Sequence, residues 1–204
     1  MSYVVVEGCP ASGKTTTAKE LSTRLNTDLL LEASDSHPLL HDFYLDPKSN
    51  ALETELEFVV LHYHQIANAV RQGIFRRNVV SDYFYEKDLI FPEVTLPAGR
   101  DSRIFESLWK SLRPKLPTPD FVLFLDAPTD FLIRRIRARG RIYEKPISFE
   151  YLDRINRAYE KFMKNYRGAP VVRLDATKLE RKINTDPYRE VAFMVQKKIL
   201  ALRG

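Results

Sequence analysis

The chain has 204 residues, 44% of them apolar, with 32 Lys and Arg against 27 Asp and Glu, a net charge of +5, and one cysteine. That length supports one substantial core and a single domain over 1–204, and the composition excludes disorder, collagen and coiled coil. One cysteine cannot close an internal disulfide, MSYVVVEGCP is no secretory leader, and no apolar run approaches the ~20 residues that cross a bilayer, so the expected setting is cytoplasmic with no membrane partner.

The first element is the apolar strand Tyr3 to Glu7. Gly8-Cys9-Pro10-Ala11-Ser12-Gly13-Lys14-Thr15 follows it and matches G-x(4)-G-K-[ST] at every fixed position. A helical pattern from Lys14 to Leu25 comes next, which completes the strand, loop, helix order of a phosphate-binding loop. In such a loop the glycines let backbone N–H groups wrap the anion, the lysine reaches the outer phosphates and the Thr15 hydroxyl ligates Mg²⁺. Gly8 through Thr16 are therefore the expected site for ATP or another nucleoside triphosphate. Cys9, inside the loop, reads as a passive small residue.

A second strand covers Asp28 to Leu31 and ends at Glu32. His37 and His41 are four apart, but Pro38 intervenes and no third ligand is compelling, so no zinc site is expected. The helix from Asn50 to Gln72 is apolar on more than one side, with Leu52, Leu56, Val59, Val60, Tyr63, Ile66, Ala67 and Val70, and suits both the core and a second subunit. His62 and His64, two apart, cannot share a helix face. A third strand, Asn78 to Ser81, ends at Asp82. Then come a helix over Arg103 to Leu112, a strand over Phe121 to Leu125 ending at Asp126, helices over Thr129 to Arg139 and Ser148 to Asn165, a strand over Val171 to Leu174, and a helix over Pro187 to Leu200. Mostly continuous apolar strands alternating with helices predict an α/β fold with a five-stranded parallel sheet flanked by helices. A carboxylate at the C-terminal end of a parallel strand lies beside the phosphate loop, which marks Glu32 and Asp82, with Asp126 as a second candidate.

Arg134, Arg135, Arg137, Arg139 and Arg141 cluster around Gly140, where the helix should yield, and Glu144, Lys145 and Pro146 follow. The six positive charges from Arg134 to Lys145 against Glu144 leave +5, equal to the excess of the whole chain. This pattern suits a lid over about 134–147 that closes on a triphosphate and neutralises the transferring phosphoryl group. No stacking or groove-reading motif accompanies it, so nucleic acid is not the expected partner. The guanine-reading N-K-x-D motif is absent, which argues against a GTPase.

From the first strand to about Tyr159 the sequence resembles the deoxynucleoside kinase family. The resemblance rests on the loop GCPASGKTT, the glutamate in LLLEA, HPLLHDFYLDP, the long helix, VVSDYFYEKDLIF, and RIRARGRIYEKPISFEYL. It implies a three-layer P-loop kinase fold with an arginine-rich lid, a homodimer, ATP and Mg²⁺ as cofactors, and a small-molecule nucleoside as acceptor. Carried over, Glu32 would accept the proton of the sugar 5'-hydroxyl, and Asp82 would hold Mg²⁺ together with Thr15. Tyr44 and Glu144 would bind the 3'-hydroxyl, and Arg139, Arg141 and Arg135 would reach the phosphates.

Two positions depart from the family pattern. Tyr83 stands where an arginine usually contacts the 5'-hydroxyl, leaving that task lost, done by the tyrosine hydroxyl, or moved to another basic residue such as Arg100 or Arg103. Glu55 stands where the family often has a base-reading glutamine. An ionised glutamate offers acceptors only and would suit guanine. The closest rival is a nucleoside monophosphate kinase of thymidylate-kinase type. It should place arginines where Glu32-Ala33 and Asp82-Tyr83 stand. A non-catalytic nucleotide- or nucleic-acid-binding protein is the rival of a different class.

Overall fold

The computed structural model describes residues 1–33, 39–180 and 185–201, apart from the side chain of His41. Five parallel strands form one sheet, in the order β2-β3-β1-β4-β5: β1 Tyr3–Gly8, β2 Asp28–Leu30, β3 Val79–Ser81, β4 Phe121–Asp126 and β5 Val171–Asp175. Every residue of β1 is buried, as expected of a central strand covered on both faces, while β2 and β5, at the edges, are half-buried or alternate. The register sets Glu7 opposite Phe124 and Gly8 opposite Leu125.

Eight α-helices connect and flank the described strands: α1 Lys14–Leu25, α2 Leu40–Leu45, α3 Pro47–Arg71, α4 Pro92–Thr95, α5 Arg100–Leu112, α6 Thr129–Arg139, α7 Phe149–Asn165 and α8 Pro187–Ala201. The long helix begins three residues before the expected Asn50. Asp46 caps it by accepting from the Ser49 N–H at 3.3 Å, and Pro47 occupies the first turn, where its missing N–H costs nothing. The short α2 and α4 escape the sequence reading because they are too brief to show a hydrophobic period. At the other end of the pattern, α6 stops at Gly140, which adopts φ 67° as its left-handed cap, so the helix yields where the sequence places the break.

Two apolar clusters meet at the site. One packs the sheet residues Val4, Val5, Val6, Leu123 and Leu125 against α1, α7 and α8, and the other joins α3 and α5 through Val59, Ile66 and Phe105 with Tyr83 and Tyr85. The ring of Tyr85 stacks on Trp109 at 5.5 Å and 14°, tying the segment after β3 to α5. Residues deleted to Ala in such a core typically cost about 2–5 kcal/mol. The chain leaves β1 toward β2 and leaves β4 toward β5, so the connections diverge at the carboxyl ends of the two central strands. A crevice at that point is where open α/β sheets bind ligands.

Candidate active site

The loop after β1 turns tightly. Ser12 N–H donates to the Cys9 carbonyl at 3.1 Å, Ala11 takes φ 67°, and Gly13 takes φ 102° as it opens α1. A Cβ on Gly8 would stand 2.6 Å from the Leu125 carbonyl oxygen, so only glycine lets the loop leave the sheet between β1 and β4. The first N–H groups of α1 have no partner within the helix and face the loop's concavity, which suits an anion. Lys14 Nζ donates to the Gly8 carbonyl at 2.7 Å and lies 3.8 Å from Glu7. Cys9 is buried, and burial pushes its thiol far above the ordinary range, consistent with a passive residue.

Three strand ends converge beside this loop. Asp82, just past β3, accepts from the Thr15 hydroxyl at 2.5 Å with one carboxylate oxygen and from the Glu32 backbone N–H at 2.7 Å with the other. Its own N–H donates to the Leu30 carbonyl at 3.2 Å. Asp82 therefore locks together the loop, the end of β2 and the end of β3. The hydroxyl and carboxylate of Thr15 and Asp82 are the hard oxygen donors that Mg²⁺ takes alongside phosphate oxygens and water, so the residues present fit that ion. Among the described residues no cluster of three or more His, Cys, Asp or Glu could hold a metal by itself. His37 and the His41 side chain lie outside the described residues.

Between loop, strand ends and helices lies a cavity of about 550 Å³. Its walls include Pro10, Ala11, Gly13, Lys14, Thr15 and Thr16 on the loop side, and Glu32, Tyr44, Glu55 and Asp82 on the other. Arg135, Arg139, Arg141 and Glu144 line it from the basic segment. Only part of that segment faces inward: Arg134 is exposed, and Arg137 spends its guanidinium on the carbonyls of Lys145 and Ile147 at 2.9 and 3.0 Å, bracing the turn after α6. Arg135 lies over the Phe131 ring at 5.3 Å and near the Ser12 carbonyl. Arg139 makes a two-point ion pair with the buried Glu144, its Nε donating to Oε2 at 2.6 Å and its Nη2 to Oε1, and Arg141 comes within 3.9 Å of the same carboxylate.

Four residues weighed from the sequence are not among the cavity's walls. Tyr83 is fully buried and points into the cluster between α3 and α5, where its ring lies 5.2 Å from that of His62. Its hydroxyl finds no partner among the described residues, and Tyr83 is not among the cavity's walls. Arg100 and Arg103 are exposed on α5 and are not among the cavity's walls. Asp126 pairs with Arg173 at 2.6 Å, away from the cavity.

The sequence reading also missed residues that the fold brings in. Buried His62 bridges two carboxylates: Nδ1 meets Asp88 at 2.7 Å and Nε2 meets Glu32 Oε1 at 3.0 Å. Lys87 Nζ donates to the same Glu32 oxygen. Although burial opposes ionisation of Glu32, Lys87 and then His62 hold its carboxyl far below the ordinary range. Burial also opposes the charged form of His62, yet Asp88 above all raises it to about 9. Glu55 has no such cation in contact among the described residues: burial pushes it up to about 8, while its Oε1 accepts from the Thr95 hydroxyl at 2.8 Å. One signal was available in the sequence, since Glu55, Phe58 and His62 recur at helical spacing and share one face of α3.

Comparison with known proteins agrees with this architecture. The chain is 27% identical over 203 residues to a deoxyguanosine kinase of Bacillus subtilis, covering 97% of this chain and 98% of that one. It is 28% identical over 206 residues to a deoxyadenosine kinase of Dictyostelium discoideum, covering 96% and 82%. Among solved structures, a deoxyadenosine kinase from M. mycoides with bound dATP superposes with a TM-score of 0.80 at 23% identity, over 97% of this chain and 98% of that one. The deoxynucleoside kinase family model matches residues 4–200, nearly the whole chain, and the chain belongs to that family.

Proposed function

We propose that the cavity holds ATP and Mg²⁺ on its loop side and a purine deoxynucleoside on the other, with Glu32 as the group that takes the proton of the acceptor 5'-hydroxyl. The observation that carries this reading is the meeting of Lys14, Thr15, Asp82 and Glu32 in one cavity, with Glu32 tied to Asp82 through its backbone. As a member of its family the chain is a phosphotransferase that carries a phosphoryl group to the 5'-hydroxyl of a deoxynucleoside.

The residues divide the work. Backbone N–H groups of Gly13 to Thr16 and the Lys14 ammonium orient the phosphates, and Thr15 and Asp82 would hold Mg²⁺, which when bound offsets phosphate charge. Glu32 orients the acceptor hydroxyl and receives its proton. Arg139 and Arg141 exchange their contact with Glu144 for the transferring group as the segment 134–147 closes as a lid, and Arg135 holds the donor beside the loop. Glu144 and Tyr44 then face the sugar 3'-hydroxyl. Closing the site removes water, which strengthens each of these contacts.

At the far wall, Glu55 reads the base. Burial keeps it largely protonated at neutral pH, so it presents one donor and one acceptor, as a glutamine would. That supports a purine site open to adenine as well as guanine, in keeping with relatives named for both. No described helix is long and apolar enough to cross a membrane. A cytoplasmic, single-domain enzyme acting in nucleotide salvage fits this reading, and the exposed apolar Val60 and Val70 of α3 support a homodimer on that helix. The deciding experiment is ADP release from ATP with deoxynucleosides, ribonucleosides and dTMP as acceptors. Turnover of deoxyguanosine and deoxyadenosine is expected. Turnover of dTMP alone would overturn the reading in favour of a monophosphate kinase.

A further inference from the structure

The 3-10 turn Tyr85–Leu89 places three consecutive charged residues, Glu86, Lys87 and Asp88, in the interior, each no more than 6% exposed. Buried charges are tolerated only when paired. Glu86 turns away from the cavity and accepts from Arg113 Nε at 2.7 Å. Lys87 and Asp88 line the cavity, one against Glu32 and the other against His62. The result is two carboxylates and two cations alternating around one point: Lys87, Glu32, His62, Asp88. Glu7, buried beneath the phosphate loop beside Lys14, adds its field to those of Glu32 and Asp88 on Lys87, and His62 and Glu55 also interact with this ammonium.

We propose that Lys87 is the positioning residue for Glu32, the ammonium that together with the His62–Asp88 pair fixes the Glu32 carboxylate toward the acceptor hydroxyl. The inference rests on the reading of Glu32 as proton acceptor. Geometry leaves little choice of cation. Tyr83 is neutral and faces the core, Arg100 and Arg103 are exposed on α5, and Lys14 is turned to Gly8 and Glu7. Lys87 and His62 both meet Oε1, which assigns Oε2 to the incoming proton. The two-sided hold also selects one rotamer of Glu32, the kind of preorganisation that positions a reacting group before substrate arrives.

The balance of the step gives Lys87 a second task. The acceptor O–H bond breaks and its proton passes to Glu32. The acceptor oxygen bonds to the γ-phosphorus, whose bond to the bridging oxygen breaks with its electron pair leaving on ADP. Glu32 becomes neutral, and the Lys87 ammonium, no longer matched by a carboxylate, faces the negative charge of the new phosphate ester. A cation that keeps its charge throughout therefore holds the base first and the product afterwards.

The test measures ADP release with deoxyguanosine and deoxyadenosine for the intact protein and for Glu32→Gln, Lys87→Met and Lys87→Arg. Lys87→Met is expected to lower kcat by about 10- to 100-fold with KM for the nucleoside changed by no more than about threefold. Lys87→Arg should recover most of kcat. Inactive Glu32→Gln beside a Lys87→Met enzyme with unchanged kcat overturns the proposal and leaves the role of Glu32 intact. A Lys87→Met loss with no recovery by arginine also overturns it, since that is the mark of packing alone. Wild-type kcat in Glu32→Gln removes the underlying reading instead. If circular dichroism shows Lys87→Met unfolded, Lys87→Gln is read by the same outcomes.

Discussion

The proposed donor and acceptor sides of the cavity are built by opposite means. On the donor side the backbone does most of the work: a loop whose shape depends on Gly8 and Gly13, the N-terminus of α1, and one lysine close in sequence. On the acceptor side almost everything is side chain, drawn from the end of β2, the middle of α3, the end of β3 and the 3-10 turn beyond it. Backbone recognition of phosphate is indifferent to most side chains, so it leaves a short, portable sequence pattern. Recognition of a neutral hydroxyl and a base needs placed charges, and those can come from any element that reaches the pocket.

The largest expected effect belongs to the acceptor side. Glu32→Gln should lower kcat by about 10²- to 10⁴-fold with nucleotide binding retained. Steady-state kinetics together with ATP binding by calorimetry would read both, and a variant that loses ATP affinity equally would erase the distinction between the two sides.

The complementary change is Lys14→Met. Loss of this electrostatic contact should reduce kcat about 10²- to 10³-fold, for every acceptor alike, because it acts on the donor. A loss confined to one nucleoside would place Lys14 on the wrong side of the comparison.

A finer effect concerns Glu55 at the base wall. As pH rises through about 8 its carboxyl loses the proton that burial retains, and the site passes from one donor and one acceptor to acceptors only. The ratio of kcat/KM for deoxyguanosine over deoxyadenosine should then rise by about tenfold, the scale of one hydrogen bond, between about pH 6.5 and about pH 9. His62, Lys87 and Asp88 also act on Glu55, so Glu55→Gln is the control: it should hold the ratio flat. A ratio that still climbs in Glu55→Gln would assign the titration to His62.

Smallest of all is the effect expected at Tyr83. Its buried hydroxyl has no partner among the described residues, so Tyr83→Phe should keep kcat within about twofold and leave stability equal or slightly higher, since no hydrogen bond is lost. Thermal melting and kinetics on the same preparation check this. A large loss of kcat would return the tyrosine hydroxyl to the acceptor site.

The same contrast explains what could be read before folding. All five strands and the six long helices were legible because apolar runs and helical periods are local, and the phosphate loop because its spacing is local too. Glu32 and Asp82 could be marked as strand-end carboxylates. Lys87 could not, since it lies 55 residues from Glu32 and sits in a charged triplet that looks solvent-facing until the aromatic residues around it are seen to be buried. His62 was set aside because it could not pair with His64, whereas its real partners come from other elements. The ionisation of Glu55 was not legible for a related reason: the sequence shows a carboxylate, and burial, which raises it to about 8, exists only in the fold.

By itself, then, the sequence determined the alternation of strands and helices, the loop proposed to wrap phosphate and the arginine cluster, because each is written in short-range order. Tertiary structure alone decided that Arg135, Arg139 and Arg141 face inward while Arg137 braces a turn, that Tyr83 belongs to the core, and that Lys87 and His62 meet on one oxygen of Glu32. Those outcomes depend on desolvation and on distances between residues far apart in the chain, quantities that exist only once the chain has packed.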